Sequence, residues 1–387
     1  MDRTSDVIIL GLGAMGSAAA AWLAEQGLRV AAFDAFTPPH TQGSSHGRSR
    51  IFRQAYFEDP GYVRLLLRAR ELWTRLEHET GALLFHTTGA LMIGPAMGKL
   101  VAGSAASARQ FHLPHEMLSA AELRRRWPAF HVPDDAVALL EPDAGYLNPE
   151  LCIQQQLTQA EGYGAQLHFN RPVTAWSATA TGVSVTAAGE AWTAAHLVIT
   201  AGAWTPQILA GIRLPLHVTR QVVFWFEPTG SVEPFRETRF PIYMIETAPH
   251  EPMIYGFPLI GPASEGLKVA IHGSVETCTP ETVDRTVRPD DERRIRQRLA
   301  TTLPSVAGRL VHAETCLYTM TPDEHFILGA HPDHPQVILA AGFSGHGFKF
   351  APAIGEIIAG LVTTGDDSRI PSMLAPSRFS PSENPAA

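Results

Sequence analysis

The chain has 387 residues, a length that accommodates two or three domains. Its 30 Lys and Arg residues against 38 Asp and Glu residues give a net charge of −8, which argues against nucleic acid or an anionic membrane surface as the main partner, since both attract clustered basic residues. Apolar residues make up 45% of the chain and supply a large core, and three cysteines are too few for a disulfide scaffold.

The N-terminus and the hydropathy pattern bear on where the protein resides. Residues 1–6 lack a basic region followed by an apolar run, and no uninterrupted apolar stretch of about 18 residues occurs. We therefore expect neither a signal peptide nor a transmembrane helix, and we predict a cytoplasmic protein.

The first 34 residues predict a β-α-β unit. An apolar run over 6–10 reads as a buried parallel strand, an alanine-rich helix follows and ends at Gly27, and a second strand over 28–33 ends at Asp34. Between the first strand and the helix lies the motif Gly-x-Gly-x-x-Gly, which comprises Gly11, Gly13 and Gly16.

This arrangement is typical of dinucleotide binding. Gly11 permits a tight turn, Gly13 lets the backbone approach a pyrophosphate, and Gly16 lets the helix pack closely on the strand. Asp34 is placed to accept a hydrogen bond from a ribose 2′-OH, which disfavours the 2′-phosphate of NADP. These residues do not separate NAD from FAD, but a β-rich remainder of this size favours a flavoprotein.

Further elements follow in chain order, and the domains they form are expected to interleave. We predict helices over 61–78, 119–127, 149–163, 288–302 and 351–363. We predict strands over 166–169, 182–186, 196–200, 218–227, within 253–272, and over 337–342.

Four later segments, together with the glycine motif, closely resemble the monomeric sarcosine oxidase and N-methyltryptophan oxidase family. They are Gly-Ser-Ser-His-Gly-Arg-Ser-Arg-Ile-Phe-Arg at 43–53, Tyr-Gly-Phe-Pro at 255–258 with Gly-Leu-Lys-Val-Ala-Ile-His at 266–272, Cys-Leu-Tyr-Thr-Met-Thr-Pro-Asp-Glu-His-Phe at 316–326, and Ala-Ala-Gly-Phe-Ser-Gly-His-Gly-Phe-Lys-Phe at 340–350. The resemblance extends over roughly 5–375, with the motifs in the same order.

The resemblance implies an α/β protein in which a Rossmann-type FAD-binding domain interleaves with a β-rich, antiparallel substrate domain. We place the FAD-binding domain at 1–85, 146–215 and 320–375, and the substrate domain at 86–145 and 216–319. A flexible tail is expected over 376–387, where Pro and Ser are frequent.

The resemblance also implies FAD joined covalently to the sulfur of Cys316. An isolated cysteine is by itself more often a small buried apolar residue, and Cys152 and Cys278, which match no motif, are interpreted in that way. The residues predicted to contact FAD are Gly11, Gly13, Gly16, Asp34, Ser44, Arg50, Val173, Gly202, Cys316, Ser344, Gly345, His346, Gly347 and Lys349.

Arg53 and Lys349 match the pair that binds the substrate carboxylate in this family. Paired cations suit that task, since the guanidinium of arginine can form a bidentate hydrogen bond to a carboxylate and the ammonium of lysine is a compact charge. The ordinary alternative is a surface ion pair, which Lys349 fits poorly because it lies in an apolar run.

Six residues are implied at the catalytic centre, five of them catalytic and one, Tyr318, substrate-binding. Lys268 would lie against the flavin and activate dioxygen by stabilising the negative charge that develops on it. Strand alternation places Lys268 on the same face as His272. Tyr255 and His272 match positions near the substrate amine, and His46 and Arg50 match flavin-side positions; Tyr318 is expected to bind substrate. The alternatives are an edge-strand lysine that reaches solvent and histidines satisfied in the core.

Two features depart from these patterns. Arg48 and Ser49 stand where relatives often have Asp and Thr, which would place a base near the isoalloxazine edge. His331-Pro-Asp-His334 has superficial metal-ligand spacing, but the proline indicates an exposed loop, and we predict no metal site.

The resemblance predicts a monomeric oxidase of sarcosine-like N-methyl amino acids that yields hydrogen peroxide, formaldehyde and the demethylated amino acid. Within the same fold, N-methylated aromatic, fructosyl or cyclic imino acids are alternative substrates. A dehydrogenase that passes electrons to a carrier, and a flavin-binding protein without turnover, are alternatives of other classes.

Overall fold

The computed structural model of the protein describes residues 3–211, 214–248 and 251–379. Within these residues the chain forms eight α-helices and twenty β-strands. The helices are α1 (Ala14–Glu25), α2 (Val63–Thr80), α3 (Lys99–Gln110), α4 (Ala120–Arg126), α5 (Pro149–Gly162), α6 (Thr205–Ile208), α7 (Pro289–Thr302) and α8 (Ala351–Thr364).

The strands make three sheets. In chain order they are β1 (Thr4–Leu10), β2 (Val30–Phe33), β3 (Arg50–Phe52), β4 (Phe85–Thr87), β5 (Ala90–Pro95), β6 (Glu116–Ser119), β7 (Ala136–Glu141), β8 (Gly145–Leu147), β9 (Gln166–His168), β10 (Val173–Thr179), β11 (Gly182–Ala187), β12 (Glu190–Ile199), β13 (His217–Phe226), β14 (Ile242–Ile245), β15 (Ile254–Gly256), β16 (Leu267–Ile271), β17 (Thr277–Cys278), β18 (Leu310–Met320), β19 (Ile327–His331) and β20 (His334–Ala341).

The first sheet has the predicted β-α-β unit at its centre. Its eight strands follow the order β10-β11-β12-β1-β2-β9, and β20 lies beside the second half of β12 with β19 at its outer edge. Strand β1 is parallel to both β2 and β12. Helices α1, α5 and α8 pack together on one face, where alanines dominate α1 and allow close approach.

The second sheet has nine strands and is mostly antiparallel. Its order is β17-β13-β16-β15-β14-β5-β7-β6, with β18 paired along the length of β13. Helix α7 covers this sheet through the buried side chains of Ile295 and Leu299. A small third sheet has the order β3-β8-β4, with β8 antiparallel to both neighbours. Its strand β3 begins at Arg50, and Arg53 follows directly after it.

The mixed α/β architecture confirms the predicted fold class, and the predicted helices and strands correspond to observed elements. The first sheet draws on chain stretches 4–33, 166–199 and 327–341, and the second on 90–141 and 217–320. The domain boundaries themselves stay a prediction. Among the residues that the structure describes, no helix is both long enough and apolar enough to cross a bilayer.

Two local expectations were wrong. The flexible tail was expected from residue 376, but Pro376–Phe379 form a 3-10 helix, and Arg378 pairs with Asp323 at 2.8 Å. The rest of that tail, 380–387, lies outside the described residues. The exposed loop at 331–334 is instead the tight turn between β19 and β20, and His331 is buried because it packs against Trp176.

Candidate functional site

A cavity of about 770 Å³ lies between the two large sheets. Its volume is within the range of small-molecule and cofactor sites. Strands β1, β2 and β12 of the first sheet end at one part of it, and strands β13, β14, β15 and β18 of the second sheet face another part. Ligands of open parallel sheets bind at the carboxyl ends of the strands, which is where this cavity begins.

The three motif glycines have distinct geometry at the first end of the cavity. Gly11 has a φ of +91°, which favours glycine, and a side chain there would also meet the carbonyl oxygen of Thr200 at 2.7 Å. Gly13 lines the cavity, and a Cβ on it would make only one ordinary van der Waals contact, with Ser45 Oγ at 3.7 Å. A Cβ on Gly16 would lie 1.8 Å from the oxygen of Gly11, so this glycine permits helix α1 to pack on strand β1.

Asp34 closes the same end of the cavity. Its carboxylate accepts hydrogen bonds from the backbone N–H groups of Leu12 (2.7 Å) and Phe36 (2.9 Å), and His40 Nε2 lies 3.5 Å from it. These contacts fix a carboxylate at the C-terminal end of β2, where a ribose hydroxyl would be bound. Val173 and Gly202 line the adjoining walls.

Several buried polar atoms in the cavity wall have no partner within the described residues. They belong to residues that also line the cavity, and they are His46 Nε2, Ser49 Oγ, Arg53 Nε and Thr319 Oγ1. A buried donor or acceptor without a partner costs stability, so such atoms indicate a polar ligand. Together with the glycine cradle and Asp34, they fit a flavin dinucleotide.

Strand β18 presents Cys316 to the middle of the cavity. Its thiol is buried, and its nearest backbone oxygens, of Ser44 and Leu317, lie 3.9 and 3.8 Å away. Burial by itself raises the pKa of the thiol, but the interaction with His46 and the charges of Arg50 and Lys268 outweigh it and lower that pKa. The sulfur is therefore a better nucleophile than an ordinary buried cysteine.

Lys268 is buried but does not line the cavity. Its ammonium donates to the carbonyl oxygens of Gly47 (2.6 Å) and Ser49 (2.9 Å), and the ring of Phe257 lies 5.0 Å from it. Burial and the nearby charge of Arg50 lower the pKa of Lys268. In this structure the cation lies behind the wall that Ser49 and Arg50 form, and it fixes the backbone of that wall.

The far end of the cavity contains two buried cations. Arg53, 2% exposed, donates from Nη2 to both carboxylate oxygens of Glu58 at 2.6 and 2.7 Å, and its guanidinium lies over the rings of Tyr56 and Phe57. Lys349, 5% exposed, donates to the carbonyl oxygen of His346 at 2.8 Å.

The protonation states at this end differ from those in water. Burial lowers the pKa of Lys349 to about 7, with the charge of Arg53 acting in the same direction. Burial would raise the pKa of Glu58, but Arg53 outweighs that effect and lowers it to about 2. Because Glu58 neutralises Arg53, the net positive charge available to an anion depends on Lys349.

Neutral side chains complete this end. Tyr255, His272 and Tyr318 line the cavity, and Tyr318 Oη lies 3.5 Å from His272 Nδ1. Burial lowers the pKa of His272, which favours the uncharged imidazole. His346 bonds to Tyr56 Oη at 2.6 Å, and burial lowers its pKa to about 3.

The segment after β20 turns sharply along the cavity wall. Ser344 and Gly345 have φ angles of +46° and +80°, and Cβ atoms on Gly345 and Gly347 would meet Tyr318 and Phe343 at 2.3 and 2.5 Å. These glycines therefore allow the backbone to pass between two aromatic rings and bring Lys349 to the cavity.

Most of the predicted site residues are brought together, since all of them line the cavity except Gly16 and Lys268. Arg48 does not line the cavity either; it pairs with half-buried Glu265 at 2.6 Å, and a base at the flavin edge stays a prediction. Sequence reasoning missed Glu58 and Glu314, which are the anionic partners of Arg53 and His46. Neither acid has a motif that distinguishes it from a surface carboxylate.

A dinucleotide cradle joined to a buried, cation-lined chamber defines a flavin-dependent oxidoreductase. The family model described as FAD dependent oxidoreductase matches residues 6–361, and the chain belongs to this family. FAD dependence and the predicted fold are thereby confirmed.

Named relatives are similar over nearly the whole chain. Monomeric sarcosine oxidase from Streptomyces avermitilis is 46% identical over 380 residues, which cover 98% of this chain and 99% of that one. N-methyl-L-tryptophan oxidase from Yersinia pestis is 36% identical over 356 residues, 92% of this chain and 94% of that one. The solved structure of NikD, an unusual amino acid oxidase essential for nikkomycin biosynthesis, matches with a TM-score of 0.85 at 27% identity over 97% of this chain and 98% of that one. These similarities confirm the family resemblance stated from the sequence motifs.

Proposed function

We propose that this protein oxidises small N-methyl amino acids such as sarcosine, with dioxygen as the electron acceptor. The observation that supports this most directly is the pair of buried cations, Arg53 and Lys349, which line the same cavity as the glycine cradle. Glu58 neutralises one of these two cations, and a substrate carboxylate would offset the cost of burying the second charge. The names of the similar proteins support the same substrate class.

Binding of the substrate carboxylate would begin at Lys349. Arg53 is already paired with Glu58 through Nη2, and its Nε, which has no partner within the described residues, would donate the second hydrogen bond to the carboxylate. The carboxylate would then be fixed, and the N-methyl group would be held on the side of the cavity nearest Cys316 and Arg50. Fixed orientation of this kind contributes much of the rate acceleration of an enzyme.

Tyr255, Tyr318 and uncharged His272 would surround the substrate amine. Because burial keeps His272 neutral, it would accept a hydrogen bond without adding a positive charge that repels a protonated amine. FAD, when bound, supplies the redox chemistry by accepting two electrons and a hydrogen from the N-methyl carbon. The balanced overall reaction converts the N-methyl amino acid, dioxygen and water into the amino acid, formaldehyde and hydrogen peroxide.

The proposal also includes the attachment of FAD, the role of Lys268, the oligomeric state and the location of the protein. FAD would be covalently attached through Cys316, whose thiol has a lowered pKa and lies in the cavity wall. Lys268 would assist oxygen from behind the segment 47–49, as a fixed charge near the flavin. We also propose a monomer located in the cytoplasm, and the name of the relatives supports the monomer.

A visible absorption spectrum of the purified protein tests the proposal. We expect a flavin spectrum, a yellow pellet after acid precipitation, and bleaching on addition of sarcosine without oxygen, followed by equimolar peroxide and formaldehyde when air is admitted. A yellow pellet without bleaching by sarcosine would contradict the substrate, and bleaching by N-methyltryptophan would then select the alternative that the second group of relatives indicates. Bleaching without peroxide would contradict the oxidase and favour a dehydrogenase, and a colourless protein would contradict flavin binding.

A further inference from the structure

The segment after strand β3, which brings Arg53 and Glu58 to the cavity, is held from behind by a buried carboxylate. Glu141, the last residue of β7, is 1% exposed and does not line the cavity. Its two oxygens accept hydrogen bonds from the backbone N–H groups of Gln54 (2.7 Å) and Ala55 (3.0 Å), the two residues directly after Arg53. Two hydrogen bonds from one carboxylate to consecutive N–H groups fix the path of this stretch of backbone.

The same stretch of backbone holds the guanidinium of Arg53. Nη1 of Arg53 donates to the carbonyl oxygen of Ala55 at 3.1 Å, and Nη2 donates to the carboxylate of Glu58. Nε is buried and has no hydrogen-bond partner among the described residues. The guanidinium is therefore anchored through both terminal nitrogens, and Nε remains as a donor for a ligand in the cavity.

We propose that Glu141 is a positioning residue for the binding of the substrate carboxylate: it fixes Gln54 and Ala55, and through them the guanidinium of Arg53. The inference deepens the proposed function and rests on it, because it requires a substrate carboxylate at Arg53. Glu141 would touch neither the flavin nor the substrate and would act through the backbone of residues 54 and 55.

The charges around Glu141 agree with this role. Burial raises the pKa of Glu141, and the charge of Asp143 acts in the same direction. The N–H groups of Ala55 and Gln54 and the charge of Arg53 oppose that rise. The ionised form of Glu141 is therefore stabilised by the segment that it positions and by the cation that it serves.

Other contacts hold the second part of the segment. Ser107 of α3 donates to the carbonyl oxygen of Tyr56 at 2.5 Å. Helix α3 also passes close to Phe57, since a Cβ on Gly103 would lie 2.9 Å from the carbonyl oxygen of Phe57. These contacts act on residues 56 and 57, so we expect the loss of Glu141 to disturb residues 54 and 55 and to leave the rest of the segment in place.

The test compares Glu141→Gln with the wild type, both as FAD-loaded holoenzymes. Glutamine keeps the size of the side chain, but its amide nitrogen is a donor and leaves one of the two N–H groups without an acceptor. We expect the dissociation constant of propionate, measured from the flavin spectrum, to rise about tenfold or more. The KM for sarcosine should rise by a similar factor, while the rate of flavin reduction at saturating sarcosine changes by less than about threefold.

Glu246→Gln is the matched control, because Glu246 is a buried carboxylate with the same kind of contacts. It is 7% exposed and accepts from the backbone N–H groups of Lys99 (3.2 Å) and Leu100 (2.9 Å), and none of these three residues lines the cavity. Glu246→Gln should lose stability as Glu141→Gln does but bind propionate as the wild type does. An equal loss of affinity in both variants would overturn the positioning role and assign the loss to general destabilisation.

A double-mutant cycle tests whether Glu141 acts through Arg53. Once Arg53→Gln has removed the guanidinium, the addition of Glu141→Gln should weaken propionate binding by less than about a further twofold. Full additivity of the two losses would overturn the route through Arg53.

Glu141→Asp keeps the proposal testable if the glutamine variant does not fold. Aspartate keeps the charge but is one methylene shorter, so it cannot hold both N–H groups at their present distances, and we expect weaker propionate binding with the same separation of KM from flavin reduction. Wild-type affinity for propionate in whichever variant folds would overturn this inference and leave the proposed function standing. A wild-type holoenzyme whose flavin sarcosine does not reduce would contradict the proposed function itself, so that the two failures are distinguishable.

Discussion

At the scale of single residues, Lys349 determines how the substrate end of the cavity responds to pH. Its pKa is lowered to about 7 by burial and by Arg53, whereas Glu58 and His346, with pKa values lowered to about 2 and about 3, keep one charge state over the physiological range. An anion binds the protonated form of Lys349 more tightly, so binding takes up a proton above pH 7.

We therefore predict that propionate, which is ionised throughout this range, binds the holoenzyme more weakly as pH rises above 7. The loss approaches tenfold per pH unit until the higher pKa of the complex is reached. The dissociation constant is measured from the perturbation of the flavin spectrum. Lys349→Gln should bind more weakly and show a flat profile between pH 6 and 9; a profile in this variant as steep as in the wild type would assign the titration to another group.

A second prediction at this scale concerns Lys268, because its contacts are compatible with a role in the reaction with oxygen and with a structural role. As a fixed charge near the flavin, Lys268 would accelerate the reaction of the reduced flavin with dioxygen. As a hydrogen-bond donor to the carbonyl oxygens of Gly47 and Ser49, it would hold in place the backbone segment that positions Arg50. We predict that Lys268→Met slows flavin reoxidation by at least a hundredfold while reduction by substrate changes far less, a loss of about 3 kcal/mol or more of transition-state stabilisation. Stopped-flow measurement separates the two half-reactions.

Equal slowing of both half-reactions would contradict the oxygen role and leave Lys268 as an anchor of the segment 47–49. The exposed Lys99 provides the control, since Lys99→Met removes the same charge from the surface and should change neither rate.

At the scale of elements, the contact between β1 and α1 depends on the absence of a side chain at Gly16. A Cβ there would lie 1.8 Å from the oxygen of Gly11, so Gly16→Ala must move the helix away from the strand. We predict a loss of about 3 kcal/mol or more in the free energy of unfolding, together with loss of FAD. Denaturant unfolding and the flavin content of the purified protein measure both effects.

Gly162, at the end of α5, is the control for this substitution. A Cβ on Gly162 would meet no atom within 4 Å, and alanine favours helix, so Gly162→Ala should change stability by less than about 1 kcal/mol and in the stabilising direction. Comparable losses in both variants would show that the helix–strand contact is not the cause.

Comparison of the predicted with the observed helices and strands shows which elements local sequence patterns can predict. The apolar run before Gly11, the helix that ends near Gly27 and the amphipathic helix α2 were predicted because hydrophobic periodicity and glycine caps are local signals. Helix α3 and strand β18 were not predicted. The apolar residues of α3 alternate with Gly and Ser, and β18 contains polar residues, of which Tyr318 and Thr319 line the cavity.

At the scale of the whole molecule, the cavity contacts both large sheets. Its walls include Gly11 and Asp34 from the first sheet and Val223, Tyr255 and Cys316 from the second, so a bound dinucleotide would join the two. A ligand that binds only the folded state adds to the free energy of unfolding in proportion to the logarithm of its concentration.

We predict that Cys316→Ala releases its FAD on acid treatment and, once stripped, unfolds at a lower temperature than when FAD is restored. An excess of FAD of about 1,000 times the dissociation constant should add about 4 kcal/mol. AMP, which would reach only the glycine cradle, should stabilise the protein less. A melting temperature independent of FAD would contradict the position of the dinucleotide between the sheets.

The β-α-β unit, the glycine cradle with Asp34 and the family motifs that contain Arg53, Cys316 and Lys349 were predictable from the sequence, because they depend on neighbouring residues and fixed spacings. Which charges meet depends on the packing of distant segments and was visible in the fold alone. Glu58 and Glu314 became visible as partners of Arg53 and His46, and Lys268 proved to lie behind the cavity wall. The Glu314–His46 pair joins positions 268 residues apart, and the depth of burial that shifts its pKa values depends on how the two sheets enclose the cavity. Local patterns cannot encode that enclosure, since it depends on the packing of the whole chain.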